Sequence, residues 1–256
     1  LKEPKKILVA RNGSPLVIGI GEGLEYWVAS DSLALLSYTK KVLFLKDKEI
    51  GVLSTRGYFI KDMEMKTVES EVTNLDLEVS EAQKGKFEDF MLKEIYEQPA
   101  SIQNAFSSRI DSGEVRFKES NISPEILKNI NRVLLLGCGT SYHAGLYGKY
   151  LFEEILQIPA SAEYASEFLY AKNTVDKNTL VIFLSQSGET ADTIAALKKI
   201  KLKKGLTVGL VNTLGSTIAR EVDMNIYLNA APEIAVASTK TFTSHLTVLY
   251  LLAVYL

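Results

Sequence analysis

The chain has 256 residues, 46% of them hydrophobic and 23% charged, with a formal net charge of −2. That length suits one large or two modest domains with room for a sizeable core. The near balance of 29 basic and 31 acidic residues leaves no overall field to draw in nucleic acid or an anionic membrane, so any anion must be captured locally.

The chain opens on Leu1 with LKEPKKILVARNGSP, which contains no initiator methionine and no signal-peptide pattern, and it reads as an excised piece. From 16 to about 75 the apolar segments are short and β-rich: LVIGIG (16–21), EYWVAS (25–30), KVLFLKDKEIGVL (41–53) and GYFI (57–60). Lys46, Asp47, Lys48 and Glu49 sit at a turn between two of them. This half predicts antiparallel sheet, with Trp27 in a core or at a domain contact.

Between about 76 and 98, Phe87, Phe90, Met91, Glu94 and Ile95 recur at helical spacing among charges, and Pro99 is expected to end the helix. The stretch reads as a hinge or connecting helix whose charges form a solvated face.

From 132 the pattern becomes strand, loop and helix in repetition. RVLLLGCGTSYHAGLYGKYLFEEI is followed by LVIFLSQSGETADT (180–193) and its helix, then by LTVGLVN (206–212) and STIAREV. Strands that are continuous apolar runs alternating with helices predict a parallel sheet covered on both faces, with ligands beyond the carboxyl ends of the strands. The lysines at 198, 199, 201, 203 and 204 read as a solvated helix end. The final run, LTVLYLLAVYL (246–256), is about half the roughly 20 residues that a membrane-spanning helix needs. It predicts a buried helix.

Two strand-to-helix loops share a composition. GCGTS (137–141) offers Thr140 and Ser141, and SQSGET (185–190) offers Ser185, Gln186, Ser187 and Thr190. A helix begins with unpaired N–H groups and a partial positive charge, and hydroxyls add donors that turn to meet phosphate oxygens. Gly137, Gly139 and Gly188 allow close approach of the backbone or positive φ. Ser187 with Thr190 equally suits a plain helix N-cap, and the sequence leaves both readings open. A third segment, PEIAVASTKTFTSHL (232–246), places Ser238, Thr239 and Lys240 before a helix, again compatible with capping or with a ligand.

Other chemistries find little support. GCGTS has Tyr142 where GxGxxG needs its third glycine, and there is no GK[ST], so neither a dinucleotide nor a P-loop site is expected. One cysteine and two scattered histidines, His143 and His245, give no zinc spacing. Cys138 permits no intrachain disulfide, fits a reducing compartment, and reads as a small packed residue rather than a nucleophile. No metal or other cofactor is expected, and a cytoplasmic location is.

GCGTSYHAG, SQSGETADT and VASTKTFTSHL, in this order and spacing, together resemble the first sugar-isomerase (SIS) subdomain of the glutamine–fructose-6-phosphate aminotransferase family, the glucosamine-6-phosphate synthases. KEIYEQPASI resembles the hinge of that family, and RNGSPLVIGIG with ASDSLALL resembles the end of its glutaminase domain. The resemblance implies an α/β fold in which a parallel-sheet α/β/α SIS subdomain (79–256, with the hinge helix) follows a β-rich remnant of an N-terminal-nucleophile glutaminase domain (1–78).

The reaction it implies converts fructose 6-phosphate and glutamine to glucosamine 6-phosphate and glutamate, without a cofactor, in a homodimer. Carried over by position, the sugar-phosphate contacts fall on Thr140, Ser141, Ser185, Gln186, Ser187 and Thr190, with Val236 and Ser238 facing the sugar. No catalytic residue matches: the family's nucleophilic cysteine has no counterpart, and the second SIS subdomain with its lysine, glutamate and histidine would begin after Leu256. Asp89 stands where the family usually shows histidine. Two rival readings are a non-catalytic SIS-domain sugar-phosphate sensor and a simple sugar-phosphate isomerase. The latter would have to draw its acid and base from Glu163, Glu167, Glu189 and His143.

Overall fold

The structure, a computed structural model, describes residues 5–75, 83–117, 128–172 and 174–256. The chain forms two compact units, Leu1–Gln83 and Lys84–Leu256.

The first unit is all antiparallel. Its strands are β1 (Lys6–Ala10), β2 (Val17–Ile20), β3 (Tyr26–Ala29), β4 (Lys41–Phe44), β5 (Ile50–Ser54), β6 (Gly57–Lys61) and β7 (Thr73–Asn74). They form two sheets, in the orders β1-β5-β6 and β3-β2-β4-β7. Neighbouring residues of β2 and β4 enter different cores. Val17 and Val42 pack with Leu35, Leu36 and Leu75, while Ile18 and Leu43 pack with Leu45, Leu53 and Ile60. The second sheet is therefore covered on both faces by the period-two alternation of its own strands. Trp27 packs against the first of these cores and stacks on Tyr38.

The second unit is built on a parallel sheet of five strands. These are β10 (Arg132–Gly137), β11 (Ala160–Tyr164), β12 (Thr179–Ser185), β13 (Leu206–Val211) and β14 (Met224–Tyr227), in the order β11-β10-β12-β13-β14. A small hairpin, β8 (Ile110–Asp111) and β9 (Glu114–Val115), precedes them. Among the described residues the helices are α1 (Phe90–Ser107), α2 (Thr140–Leu151, extended by a π-helical turn over Phe152–Leu156), α3 (Ala165–Phe168), α4 (Ala191–Lys201), α5 (Thr217–Glu221) and α6 (Lys240–Tyr255). Leu135, Ile182, Leu184 and Leu210 point to one face, where they meet Ala105 of α1, Ala144 of α2 and Val248 and Leu252 of α6. Leu134, Leu136, Val181 and Phe183 point to the other, against Phe168 of α3, Leu197 of α4 and Ile218 of α5. Every residue of β12 is buried, as its central place in the order requires.

Two expectations are corrected. Pro99 lies inside α1 and does not end it. The ring removes one backbone donor, and the carbonyl that this donor would have met, Ile95 O, accepts the Gln98 side-chain amide at 3.1 Å instead. Lys199 is not a solvated helix end. Its ammonium donates to the carbonyls of Phe168, Leu169 and Ala171 and so closes the end of α3. Asp89 takes the N-cap of α1, accepting the Leu92 N–H at 2.7 Å.

His245, on α6, is 1% exposed, and its Nε2 lies 3.1 Å from Leu210 O. Burial pushes its pKa down to about 4, against smaller raising effects from the Leu210 carbonyl and from Glu233. A pKa below the unfolded value means that the unfolded chain binds the proton more tightly. This contribution to stability is therefore complete above about pH 6.5 and is lost as pH falls toward 4. Acidification from pH 7 to 4 is expected to cost roughly 3 kcal/mol through this group. In denaturant titrations across that range, His245→Gln should show a shallower fall than the parent chain, and parallel curves would place the acid sensitivity elsewhere.

Candidate functional site

The order of the sheet reverses between β10 and β12, and a parallel sheet opens its ligand crevice beyond the carboxyl ends of two such strands. GCGTS leaves β10 and SQSGET leaves β12 at this point. The topology therefore sets the two hydroxyl-rich loops side by side.

The turn after β10 depends on two glycines. A Cβ on Gly137 would lie 2.9 Å from the carbonyl carbon of Ser141, so the chain can fold straight back over the strand only without one. Gly139 has φ +56° and leads into α2, whose N-terminus has no side-chain cap. Thr140 is exposed at this helix start and Ser141 is buried. Cys138, partly buried against the α3–α5 face, brings its sulfur to 4.0 Å from the Thr193 hydroxyl in the first turn of α4, which ties one loop to the helix of the other.

In SQSGET the hydroxyls bind the loop and not the helix. Ser185 Oγ, buried at the end of β12, accepts the Gly188 N–H at 2.9 Å and lies 3.2 Å from Thr190 Oγ1. Ser187 Oγ accepts the Glu189 N–H at 3.1 Å. Thr190 is the N-cap residue of α4, yet its side chain makes no cap hydrogen bond. Its hydroxyl turns toward Ser185. The result is a curled loop at an uncapped helix N-terminus, which suits an anion better than it suits a cap. Neither loop contains a lysine or an arginine.

Gly188 holds the loop against the next turn. Its φ is +64°, its carbonyl accepts the Ile218 N–H at 3.0 Å, and a Cβ there would lie 2.1 Å from Ser216 Oγ. The Glu189 carboxylate accepts the Thr217 N–H at 2.8 Å at the start of α5, a structural task that occupies one of the acids considered for general acid–base work.

The third segment joins the second through Gln186, whose amide donates to Glu233 O at 3.4 Å. The Gln186 carbonyl accepts the N–H groups of Asn212 and Thr213, and the Asn212 side chain reaches on to Ala230 N and Ala231 O. Glu233 caps α6 with one carboxylate oxygen, at 2.8 Å from Thr239 N and 3.2 Å from Thr241 N. Capping is thus done by Glu233 and not by the Ser-Thr pair before the helix. Val236 is fully exposed and Ser238 half-buried on the loop between them.

Glu94, Asn212 and Glu233 hold this region together, and of these the sequence offers only Glu94, as one member of a helical pattern. Glu94 accepts the N–H groups of Ile234 and Ala235, 140 and 141 positions on, and Asn212 pairs with Ala230 and Ala231, 18 and 19 on, separations that no local spacing records, while Glu233 acts six and eight positions on. The charges of α1 are likewise not a solvated face throughout: Lys93 and Glu94 are buried. Among the described residues no group of three or more His, Cys, Asp or Glu could hold a metal ion, and no helix is long and apolar enough to cross a membrane.

Known proteins resemble the chain over two different spans. Curated relatives named glutamine–fructose-6-phosphate aminotransferase [isomerizing] match almost all of it. That of Chlorobaculum tepidum is 45% identical over 100% of the chain, and that of Aquifex aeolicus is 46% identical over 98%. The chain spans only 42% and 41% of their lengths. Among solved structures, the C-terminal domain of glucosamine-fructose-6-phosphate aminotransferase from Francisella tularensis superposes with a TM-score of 0.64 at 36% identity, covering 67% of this chain and 48% of that one. Glucosamine-6-phosphate deaminase from Thermotoga maritima gives a TM-score of 0.52 at 28% identity, covering 64% and 48%. The SIS domain family matches residues 126–255, a span that takes in the whole parallel sheet and all three motif loops, and by that match the chain belongs to the SIS domain family.

Proposed function

We propose that this chain is the sugar-phosphate-binding part of a glutamine–fructose-6-phosphate aminotransferase (isomerizing), a glucosamine-6-phosphate synthase, which forms glucosamine 6-phosphate and glutamate from fructose 6-phosphate and glutamine. The observation that carries the reading is the pairing of two hydroxyl-rich loops at the switch point of the sheet, within a chain 45% identical to a relative of that name. Thr140, Ser141, Ser185, Gln186, Ser187 and Thr190 surround the phosphate with neutral donors, and the N-termini of α2 and α4 supply the partial positive charge that a dianion requires. Val236 and Ser238 face the sugar. Residues 1–78 correspond to the end of a glutaminase domain, and 79–256 to the hinge helix and first SIS subdomain. The assembly is a cytoplasmic homodimer that needs no cofactor and binds no nucleic acid.

Within this reading the chain orients its substrate, and none of its residues is assigned to ring opening or proton transfer. A general acid or base must stand within about 3 Å of the atom it serves. Of the four groups a simple isomerase would have to use, Glu163, Glu167, Glu189 and His143, Glu189 is turned to the start of α5.

Calorimetry with fructose 6-phosphate, fructose and inorganic phosphate tests the reading. Fructose 6-phosphate should bind at one site, inorganic phosphate should compete with it, and fructose should not bind. Equal affinity for fructose and its phosphate would remove the phosphate cradle.

A further inference from the structure

The loop over residues 232–239, which carries Val236 and Ser238, is tied down at both ends by α1. At its start a single oxygen, Glu94 Oε1, accepts the Ile234 N–H at 2.6 Å and the Ala235 N–H at 3.1 Å. At its end Lys240, 1% exposed, places Nζ 2.6 Å from Glu97 Oε2, and Lys93 Nζ lies 3.5 Å from the other oxygen of Glu97. Between these anchors the middle of the loop stands free, with Val236 fully exposed.

Glu94 is only 2% exposed, and its second oxygen, Oε2, is buried with no hydrogen-bond partner among the described residues. Burying a carboxylate is costly, and apolar packing of similar volume holds a segment to a helix at least as well. The carboxylate adds direction. It fixes the path of two successive backbone N–H groups, and so the height at which the following residues emerge. The same loop also reaches the phosphate side, because the carbonyl of Glu233, next to Ile234, accepts the amide of Gln186.

We propose that Glu94 is a positioning residue for sugar recognition. It sets the 234–238 loop so that Val236 and Ser238 meet the sugar of a molecule whose phosphate is held by the 185–190 loop. The proposal rests on the sugar-phosphate reading given above. Glu94 touches no ligand itself, so its loss should weaken binding of a sugar phosphate and leave binding of inorganic phosphate alone.

The test compares the 256-residue chain with Glu94→Ala, Glu94→Gln and Glu94→Asp. Affinities for fructose 6-phosphate and inorganic phosphate are measured by calorimetry, and amide hydrogen exchange at Ile234 and Ala235 without ligand. Glu94→Ala should exchange these two amides at least about tenfold faster, lose about tenfold in fructose 6-phosphate affinity, and hold inorganic phosphate within about twofold of the parent. Glu94→Gln keeps an acceptor in place and should restore most of the sugar-phosphate affinity. Glu94→Asp withdraws the oxygen by one methylene and should repeat the selective loss, which decides the matter if the alanine variant does not fold. Unchanged fructose 6-phosphate affinity in Glu94→Ala and Glu94→Asp, or an equal loss for both ligands, would overturn the positioning role. If the parent chain takes up neither ligand, the sugar-phosphate reading falls and the positioning role with it, while the exchange rates still report whether Glu94 holds the loop.

Discussion

Gly188→Ala is expected to destabilise the chain by about 3 kcal/mol and to abolish sugar-phosphate binding, because two separate costs coincide at this position. The φ of +64° is one that a residue with a Cβ adopts only under strain. The added Cβ would also stand 2.1 Å from Ser216 Oγ and 2.6 Å from Ser216 Cβ, at the start of α5. Relief requires α5 to move, and α5 is tied to the loop through Gly188 O to Ile218 N and through Glu189 to Thr217 N. The N–H of Gly188, which Ser185 Oγ accepts, would move with it. Denaturant midpoints and calorimetry on the same preparation measure both effects. A midpoint equal to that of the parent would mean that the turn relaxes at no cost.

The double variant Ser187→Ala, Thr190→Ala is expected to do the reverse: little change in stability and a loss of at least about a hundredfold in fructose 6-phosphate affinity. A hydrogen bond to a charged group contributes about 1.5–3 kcal/mol, so each hydroxyl accounts for roughly tenfold to a hundredfold in binding. In the free chain the same hydroxyls make single, partly exposed contacts, Ser187 to Glu189 N and Thr190 to Ser185 Oγ. Losing those costs about 1 kcal/mol or less. Unchanged affinity with reduced stability would return SQSGET to a purely structural part, a role against which the missing Thr190 cap already speaks.

The central strands and the helices after them were legible because their signal is local. β10, β12 and β13 are dominated by apolar residues on both faces, as buried strands are. The edges β3 and β6 were legible too, as EYWVAS and GYFI, but β1, β11 and β14 were not. β11 is ASAEY and only partly buried, β14 is MNIY with alternating burial, and β1 exposes Ile7 and Leu8 on the first unit's edge. An edge strand needs less apolar sequence and so announces itself less. The loops that hold phosphate in the proposed site could be read from hydroxyls and glycines near strand ends. The residues that shape the site could not, because Glu94 acts across 140 positions of sequence on Ile234, and Asn212 across 18 on Ala230. Pro99 misled for a different, local reason: the neighbouring Gln98 side chain repairs the carbonyl that the proline strands.

The place of the phosphate is measured most directly by a crystal structure of the chain with fructose 6-phosphate. The phosphate oxygens are expected within hydrogen-bonding distance of the Ser185, Ser187 and Thr190 hydroxyls and of the first N–H groups of α4, with Thr140 and Ser141 on the other side. A phosphate at the opposite end of the sheet, in the cavity of about 320 Å³ lined by Lys177, Lys201 and Lys204, would contradict it.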